Sequence, residues 1–363
     1  MQESVANNFD AEEREVDTES IKCSGCGANM VFDPEKQMLS CPHCGTTASF
    51  NTETFSKELS LLSGFDAASQ WTKEQAVVFC CDNCGAKVVL QKDETATSCP
   101  FCGTAHVKKS EELAGVKPNA LIPFTFDGDK ALEYSKTWAR KRFFAPRKFK
   151  KHLQTDNVKG VYTPCFTFDS YTTSYYEGRI GTTHTRTVGS GKNKRTQTYV
   201  VWRNIRGTYN RGFDDVLITA GAKLDQRTLD KISPFETNSS KEFEEKFMLG
   251  FMAYHYDKEL TDCWGDAKKV MDSHIKREIL SGYVYDKVAY FNVSTSHENV
   301  TYKYVMLPVY VGNYRYNKKA YNFYVNGETG KVNGKYPKSV PKILAVIFGV
   351  VAVAVGIALL LTL

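Results

Sequence analysis

The chain lacks the sequence signatures of the common catalytic centres. It has no HExxH motif, no recognisable nucleophile–base arrangement and no pair of carboxylates at a spacing typical of acid–base catalysis. Gly191-Lys192 resembles the end of a phosphate-binding loop, but Arg186 stands where that motif requires its first glycine. Asn193 stands where the motif requires Ser or Thr. We therefore expect that the protein is not an enzyme.

An amino-terminal apolar segment is also missing, so we expect no signal peptide. Of the 11 cysteines, eight fall in two repeats, and Cys80, Cys165 and Cys263 are left over. An odd remainder without a signal peptide predicts a reducing compartment, where thiols bind metal instead of forming disulfides. We therefore expect the large amino-terminal part of the chain in the cytoplasm.

The chain does contain a duplicated four-cysteine motif. Residues 23–46 read CSGCGANMVFDPEKQMLSCPHCGT, and residues 81–104 read CDNCGAKVVLQKDETATSCPFCGT, with each cysteine repeated 58 positions later. Each repeat has two CxxC pairs, a spacing that lets four thiolates close tetrahedrally on one zinc ion. The predicted ligands are Cys23, Cys26, Cys41 and Cys44 in the first repeat and Cys81, Cys84, Cys99 and Cys102 in the second.

Both predicted zinc ions are structural. Four protein thiolates leave no open position for water or substrate, and a ribbon of about 25 residues is too small to fold without its metal. Iron, as in rubredoxin-like sites, and disulfides in place of metal are alternatives that the spacing leaves open. Cys80 adjoins a predicted ligand, but the constant offset of 58 positions favours Cys81.

We predict an α+β multidomain protein with two small four-cysteine zinc ribbons, a β-rich α+β domain and a C-terminal transmembrane helix. The arm at 1–20 carries seven acids and one arginine, and we expect it to be disordered. The further boundaries are ribbon 1 at 21–50, a connector at 51–79, ribbon 2 at 80–110, the β-rich domain at 118–336 with helices near 130–143 and 241–281, and the membrane helix at 343–363. Alternating aromatic and polar residues predict strands over 160–219 and 283–332.

Two basic segments contain no acidic residue. Residues 136–151 carry eight cations interleaved with aromatic residues, and residues 179–211 carry another eight. Two interpretations remain open. Such segments contact anionic lipid, nucleic acid or an acidic partner protein, or they form a packed helix with a solvated lysine face. Two His–Glu pairs at a spacing of one helical turn, His255 with Glu259 and His274 with Glu278, match metal-ligand spacing, although solvated pairs are far more common.

The chain ends in 21 uncharged residues, Ile343 to Leu363. At about 1.5 Å per residue the run is about 31 Å long, enough for a bilayer core of about 30 Å. Lysines at positions 331, 335, 338 and 342 precede the run. The positive-inside rule then predicts a tail-anchored, single-pass protein of the cell membrane with its large domain in the cytoplasm.

Several segments carry a family resemblance. They are CDNCGAKVVLQKDETATSCPFCGT, the run from Trp138 through FFAPRKFKK to GVYTPCFTFDSY, FMLGFMAYHY and LPVYVGNYRYNKKAYNFYVNGETGKVNGKYPKS. On these segments the chain resembles bacterial membrane-anchored proteins described as transcription factor IIB-type zinc-ribbon-containing proteins, which are associated with SPFH (flotillin-like, virion-core) proteins and phage-shock-protein-A-type membrane-stress systems. The resemblance implies a non-enzymatic adaptor or scaffold that recruits such proteins to the membrane in hetero-oligomers. Many relatives have a single ribbon, so the presence of ribbon 1 departs from the family pattern.

The alternative function is a membrane-tethered nucleic-acid-binding protein. Ribbon type and the two basic segments point to it, but neither ribbon is itself basic. Phosphate affinity would therefore have to come from residues 136–151 or 179–211.

Overall fold

The computed structural model describes residues 21–66, 77–90, 99–102, 104, 107–110, 117–151, 158–316 and 319–362. The acidic arm predicted at 1–20 and part of the predicted connector, 67–76, lie outside the described residues. The described chain is mixed α+β and mostly sheet, which confirms the predicted class.

Ribbon 1 contains its own small antiparallel sheet of three strands, β1 (Val31–Asp33), β2 (Met38–Ser40) and β3 (Thr47–Ala48). The other described strands form one sheet: β4 (Leu59–Ser60), β5 (Val77–Cys81), β6 (Lys87–Leu90), β7 (Val107–Ser110), β8 (Ala120–Leu121), β9 (Val158–Val188), β10 (Arg195–Thr219), β11 (Lys241–Glu242), β12 (Met252–Tyr254), β13 (Lys287–Tyr316), β14 (Lys319–Asn326) and β15 (Val332–Gly334). The helices are α1 (Leu61–Asp66), α2 (Gly128–Arg140), α3 (Arg147–Lys151), α4 (Gln226–Ile232), α5 (Leu260–Ser281) and α6 (Val340–Thr362).

Three long strands form the centre of the large sheet. β9, with 31 residues, pairs antiparallel with β10 on one side and with β13 on the other. α5 covers one face of these strands, where its Ala267, Met271 and Ile275 are fully buried. Successive side chains of a strand point to opposite faces, and Tyr175 and Tyr290 on the face away from α5 are exposed.

The helical region predicted near 241–281 is shorter in the structure. Residues 241–254 form β11, a short 3-10 turn and β12, and α5 begins only at Leu260. Gly250 has a φ of +85°, which is incompatible with a continuous right-handed helix. β12 then pairs with both β6 and β9, so backbone hydrogen bonds that a helix would satisfy internally are made to neighbouring strands.

Ribbon 2 continues the large sheet. Its strand β6 pairs antiparallel with β12, with Val88 opposite Tyr254, and β12 pairs in parallel with β9, with Met252 opposite Val161. β5 and β7 extend the sheet outward from β6. The second four-cysteine repeat is therefore joined to the long strands by main-chain pairing.

The basic segment 136–151 lies in α2, α3 and the loop between them. The side chain of Asp127 caps α2 by accepting a hydrogen bond from the Lys130 amide at 2.9 Å. Trp138 and Phe149 are buried, and the Trp138 ring stacks on Phe323 at 5.8 Å. The aromatic residues at these two positions are thus core residues, while Arg140, Lys141, Arg147 and Lys148 are exposed.

α6 is the apolar helix that was predicted from the sequence. Its segment Val340–Leu360 is long and apolar enough to cross a membrane, and none of it is buried against the rest of the described chain. Helix length and composition thus agree with the prediction of a carboxy-terminal membrane segment.

Candidate metal centres

The structure brings the predicted ligands together in two groups of four. In each group all four sulfur atoms lie within 4.8 Å of one another. The shortest Sγ–Sγ distances are 3.4 Å for Cys23–Cys44, 3.5 Å for Cys26–Cys41, 3.6 Å for Cys81–Cys102 and 3.7 Å for Cys84–Cys99. A tetrahedral ion with metal–sulfur bonds of about 2.3 Å has sulfur atoms about 3.8 Å apart. Since all eight cysteines are free thiols, each group is compatible with one tetrahedral metal ion.

Local backbone turns bring the sulfurs together. In ribbon 1 the amide of Gly27 donates to the carbonyl of Cys23 at 2.8 Å, and in ribbon 2 the amide of Gly85 donates to that of Cys81 at 2.7 Å. Gly27 and Gly85 have φ values of +75° and +70°, a conformation that favours glycine. The turn places main-chain N–H groups near the ligands, since the Gly25 amide lies 3.4 Å from the sulfur of Cys23.

Hydrogen bonds favour the thiolate form at three of the ligands. The amides of Gly25 and Cys26 lower the pKa of Cys23. The Thr46 side chain and amide lower the pKa of Cys44 to about 6. Burial opposes ionisation of Cys102, but hydrogen bonds from Asn83 and Thr104 lower the pKa of that thiol to about 7. Because thiolates are the metal-binding form, metal binding to both groups releases protons and weakens at acidic pH.

Among the described residues, ribbon 1 contacts the body through the side that carries Phe32 and Phe50 and through Gln37, whose side chain donates to the Phe124 carbonyl at 2.8 Å. The Phe247 ring lies 5.3 Å from the Phe32 ring and 4.9 Å from the Phe50 ring. The Phe32 amide donates to the Leu249 carbonyl at 3.0 Å, which adds a main-chain link. Residues 24–27 and 42–45, the two turns that carry the cysteines, are exposed. Ribbon 1 therefore presents both of its cysteine turns to solvent.

Ribbon 2 differs at its second cysteine turn, whereas Asp82, Asn83 and Gly85 in its first turn are exposed as in ribbon 1. Phe101, between its third and fourth cysteines, is buried and its ring lies 5.1 Å from the ring of Tyr254. The Asn313 side chain donates to the Phe101 carbonyl at 2.9 Å, and Lys223 donates to the carbonyl of Cys84. Position 101 is 58 residues after His43, which is exposed in ribbon 1. This exchange of histidine for phenylalanine is the sequence signal that distinguishes the exposed turn from the buried one.

The histidine–glutamate pairs do not form metal sites in the structure. His255 lies before α5, and its Nδ1 is 2.9 Å from the Tyr256 carbonyl. Glu278 binds Arg211 and accepts a hydrogen bond from the Tyr209 hydroxyl at 2.7 Å. His274 contacts Arg277 at 2.8 Å. These side chains are therefore engaged with other groups.

Sequence reasoning did not find a further group of ionisable residues, formed by Glu58, Asp169 and Asp214 beside Lys303. Lys303 is only 5% exposed and pairs with Asp215 at 2.9 Å. The Thr301 hydroxyl lies 2.9 Å from both Glu58 and Asp169. Burial and the hydrogen bond with Glu58 raise the pKa of Asp169 to about 6. Because the group contains its own cation, we interpret it as a structural ion network; its members are too distant in sequence to show a spacing signal.

The fold and the cysteine groups define a class: a mostly β protein with two candidate four-thiolate metal sites and one apolar carboxy-terminal helix. No protein-family model matches the chain, and no solved structure matches it. The chain is 29% identical over 334 residues to the uncharacterized protein YdjG of Bacillus subtilis (strain 168), a match that covers 91% of this chain and 94% of that protein. The likeness thus extends over most of both chains, and that name states no activity.

Proposed function

We propose that the protein is a non-enzymatic, membrane-anchored zinc-ribbon adaptor that recruits partner proteins to the cytoplasmic face of the cell membrane. The observation that carries this proposal is the exposure of both cysteine turns of ribbon 1, at 24–27 and 42–45, while the opposite side of the ribbon is held by Phe247 and Leu249. A rigid exposed surface on a body that ends in an apolar helix is the arrangement that an adaptor requires.

Zinc is the proposed occupant of both cysteine groups. Four thiolates in a closed tetrahedral arrangement are typical of structural zinc. When bound, the ion would hold the turns of each ribbon in one conformation, because the ribbon is too small to do so by apolar burial. The residues of the chain then supply the surface: Ser24 and His43 are exposed in the two turns of ribbon 1.

The membrane anchor is α6. Its apolar segment of 21 residues matches the thickness of a bilayer core, about 30 Å. The resemblance to membrane-anchored zinc-ribbon proteins supports partners of the SPFH or phage-shock-protein-A type, bound as hetero-oligomers. The lysines before the uncharged run of α6 support a cytoplasmic location of the large domain.

A second candidate function is favoured by the sheet face opposite α5. Tyr175 on this face is 64% exposed, and Trp202 and Tyr290 are exposed as well. The guanidinium of Arg179 lies 5.8 Å from the centre of the Trp202 ring. Exposed aromatic rings beside arginine are typical of surfaces on which single-stranded nucleic acid stacks.

A crosslinked pull-down from solubilised membranes, with and without nuclease, tests both functions. The variants are Ser24→Arg, in an exposed turn of ribbon 1, and Ser273→Arg, an exposed serine of α5, as the matched control. The adaptor proposal expects a stoichiometric protein partner that survives nuclease, is lost with Ser24→Arg and is kept with Ser273→Arg. Recovery that nuclease abolishes would favour nucleic acid, and equal protein recovery with both variants would contradict the role of ribbon 1.

A further inference from the structure

The loop between α2 and α3, residues 141–146, is fastened to the start of α6; we call it the juxtamembrane loop. The Ser339 amide donates to the Phe144 carbonyl at 2.7 Å. The Lys342 ammonium donates to the carbonyls of Phe143 at 3.0 Å and Ala145 at 2.8 Å. Lys342 directly precedes the uncharged run that begins at Ile343. The loop is therefore held beside the residues at which α6 becomes fully apolar.

The aromatic ring of Phe143 in this loop is exposed to solvent. Its side chain is 64% exposed, although the neighbouring Ala145 and Phe149 are fully buried. The Lys342 ammonium lies 5.8 Å from the centre of the Phe143 ring. An aromatic ring beside a lysine at the end of an apolar helix is typical of the region between lipid headgroups and acyl chains.

The sequence segments that form the loop and its attachment to α6 carry positive charge and no acidic residue. Neither 136–151 nor 331–363 contains Asp or Glu. Arg147 and Lys148 follow the loop directly and are exposed. Burial lowers the pKa of Lys150, and repulsion from the charge of Lys342 lowers it further, so these two cations lie close enough to disfavour one another. An anion bound here would relieve that repulsion.

Arg142 has a different role from the other cations of the loop. Its guanidinium lies 5.0 Å from the centre of the Trp138 ring and 5.9 Å from that of Tyr336. It therefore joins α2 to the segment that leads into α6 and holds the loop in place. Arg140, Lys141, Arg147 and Lys148 remain as the exposed cations within the loop or directly beside it in sequence.

We propose that the juxtamembrane loop and the first turn of α3 form a binding surface for anionic phospholipid headgroups, with Phe143 inserted at the membrane interface and Arg147 and Lys148 facing phosphate. This inference rests on the proposed function in one respect, that α6 spans a bilayer. Lipid is favoured over an acidic partner protein because the contacts of Lys342 fix the loop beside the apolar run, where lipid headgroups are the surrounding medium.

The test uses the full chain reconstituted in phosphatidylcholine vesicles that contain phosphatidylglycerol. A Phe143→Trp variant reports lipid contact through quenching by dibrominated phosphatidylglycerol or dibrominated phosphatidylcholine at equal mole fractions, with the unsubstituted chain as the background for its native tryptophans. The same measurement is repeated with Arg147→Glu and Lys148→Glu added. The matched charge control is Lys231→Glu with Lys276→Glu, two exposed lysines on α4 and α5.

We expect the indole introduced by Phe143→Trp to be quenched by both lipids, with an enrichment of phosphatidylglycerol of about fivefold for each cation near the surface. The enrichment should disappear with Arg147→Glu and Lys148→Glu and persist with Lys231→Glu and Lys276→Glu. Equal quenching by the two lipids, or no quenching in chains that still float with the vesicles, would overturn the headgroup site and assign the cations to a protein partner. Chains that do not float with vesicles would instead overturn the membrane anchor itself, and this inference with it.

Discussion

Replacing Phe247 by alanine should release ribbon 1 from the body while leaving the ribbon folded. Phe247 is 1% exposed, and its ring is the one that contacts both Phe32 and Phe50 of ribbon 1. Truncating a buried phenylalanine costs about 3–5 kcal/mol. The remaining links include the Phe32–Leu249 hydrogen bond, and a bond of this kind contributes about 1 kcal/mol. The contact between ribbon and body should therefore open at least about 100-fold more often.

Amide hydrogen exchange measures this opening directly. The Phe32 amide donates to Leu249 across the contact, so its exchange should accelerate in Phe247→Ala. The Cys23 amide donates to Ala28 inside ribbon 1 and should exchange at its original rate, because bound metal holds the ribbon together. Comparing these two amides separates undocking of the ribbon from its unfolding.

Two results would refute the reasoning. An unchanged Phe32 exchange rate would mean that the aromatic contact does not hold the ribbon. Equal acceleration at Phe32 and Cys23 would mean that the ribbon depends on the body for its fold, contrary to metal-driven folding. Tyr290→Ala, a truncation of an exposed ring on the distant sheet face, is the control and should alter stability by no more than about 0.5 kcal/mol.

Two further predictions concern the metal groups and the ion network. Cys41→Ser and Cys99→Ser should each reduce bound metal from two ions to one by elemental analysis. Cys99→Ser should lose more strand signal in circular dichroism than Cys41→Ser, because ribbon 2 contributes β5, β6 and β7 to the large sheet whereas ribbon 1 holds only the short strands β1, β2 and β3. Equal loss of strand signal would contradict this division. The pKa of Asp169 is raised from 3.8 to about 6, so the stabilising contribution of its protonated form is complete below about pH 4 and is lost as the pH rises through about 6. The side chain of Asp169→Asn cannot ionise. Between pH 4 and 7 the free energy of unfolding of this variant should therefore rise by about 1–2 kcal/mol relative to that of the unsubstituted chain. The pKa shift corresponds to about 3 kcal/mol, and we reduce this value because solvent screens a half-buried carboxyl. A difference in urea unfolding that does not change with pH would count against the raised pKa.

The sequence predicts features that depend on local spacing. Each CxxC pair forms one tight turn, so the cysteines that share a repeat come together as expected. The alternation of residues over 160–219 and 283–332 likewise predicted strands, and the long strands β9, β10 and β13 lie in these ranges. Local spacing does not determine which strands pair with one another. The pairing of β9 with both β10 and β13 was therefore not predicted.

Features that depend on tertiary context were predicted poorly. Apolar residues near Phe247 and Met252 match a helical period, but Gly250 and pairing with two neighbouring strands outweigh that local preference. Glu58 meets Lys303 because β4 pairs with β13, and Asp169 joins the group because β9 pairs with β13 and places Asp169 opposite Thr301. The different exposure of the two ribbons depends on what packs against Phe101, and the sequence shows the phenylalanine without its partner Tyr254.

The length of β9 has a mechanical consequence. At about 3.3 Å per residue, its 31 residues extend for up to about 100 Å. One end lies near the start of α6, because Val158 is opposite Gly312 and Phe149 of α3 packs against Tyr314 at 5.1 Å. The other end carries the turn at 189–194 that leads into β10. The paired strands thus extend for up to about three times the thickness of a bilayer core, and molecules held at the two ends of β9 would be kept apart by the sheet between them.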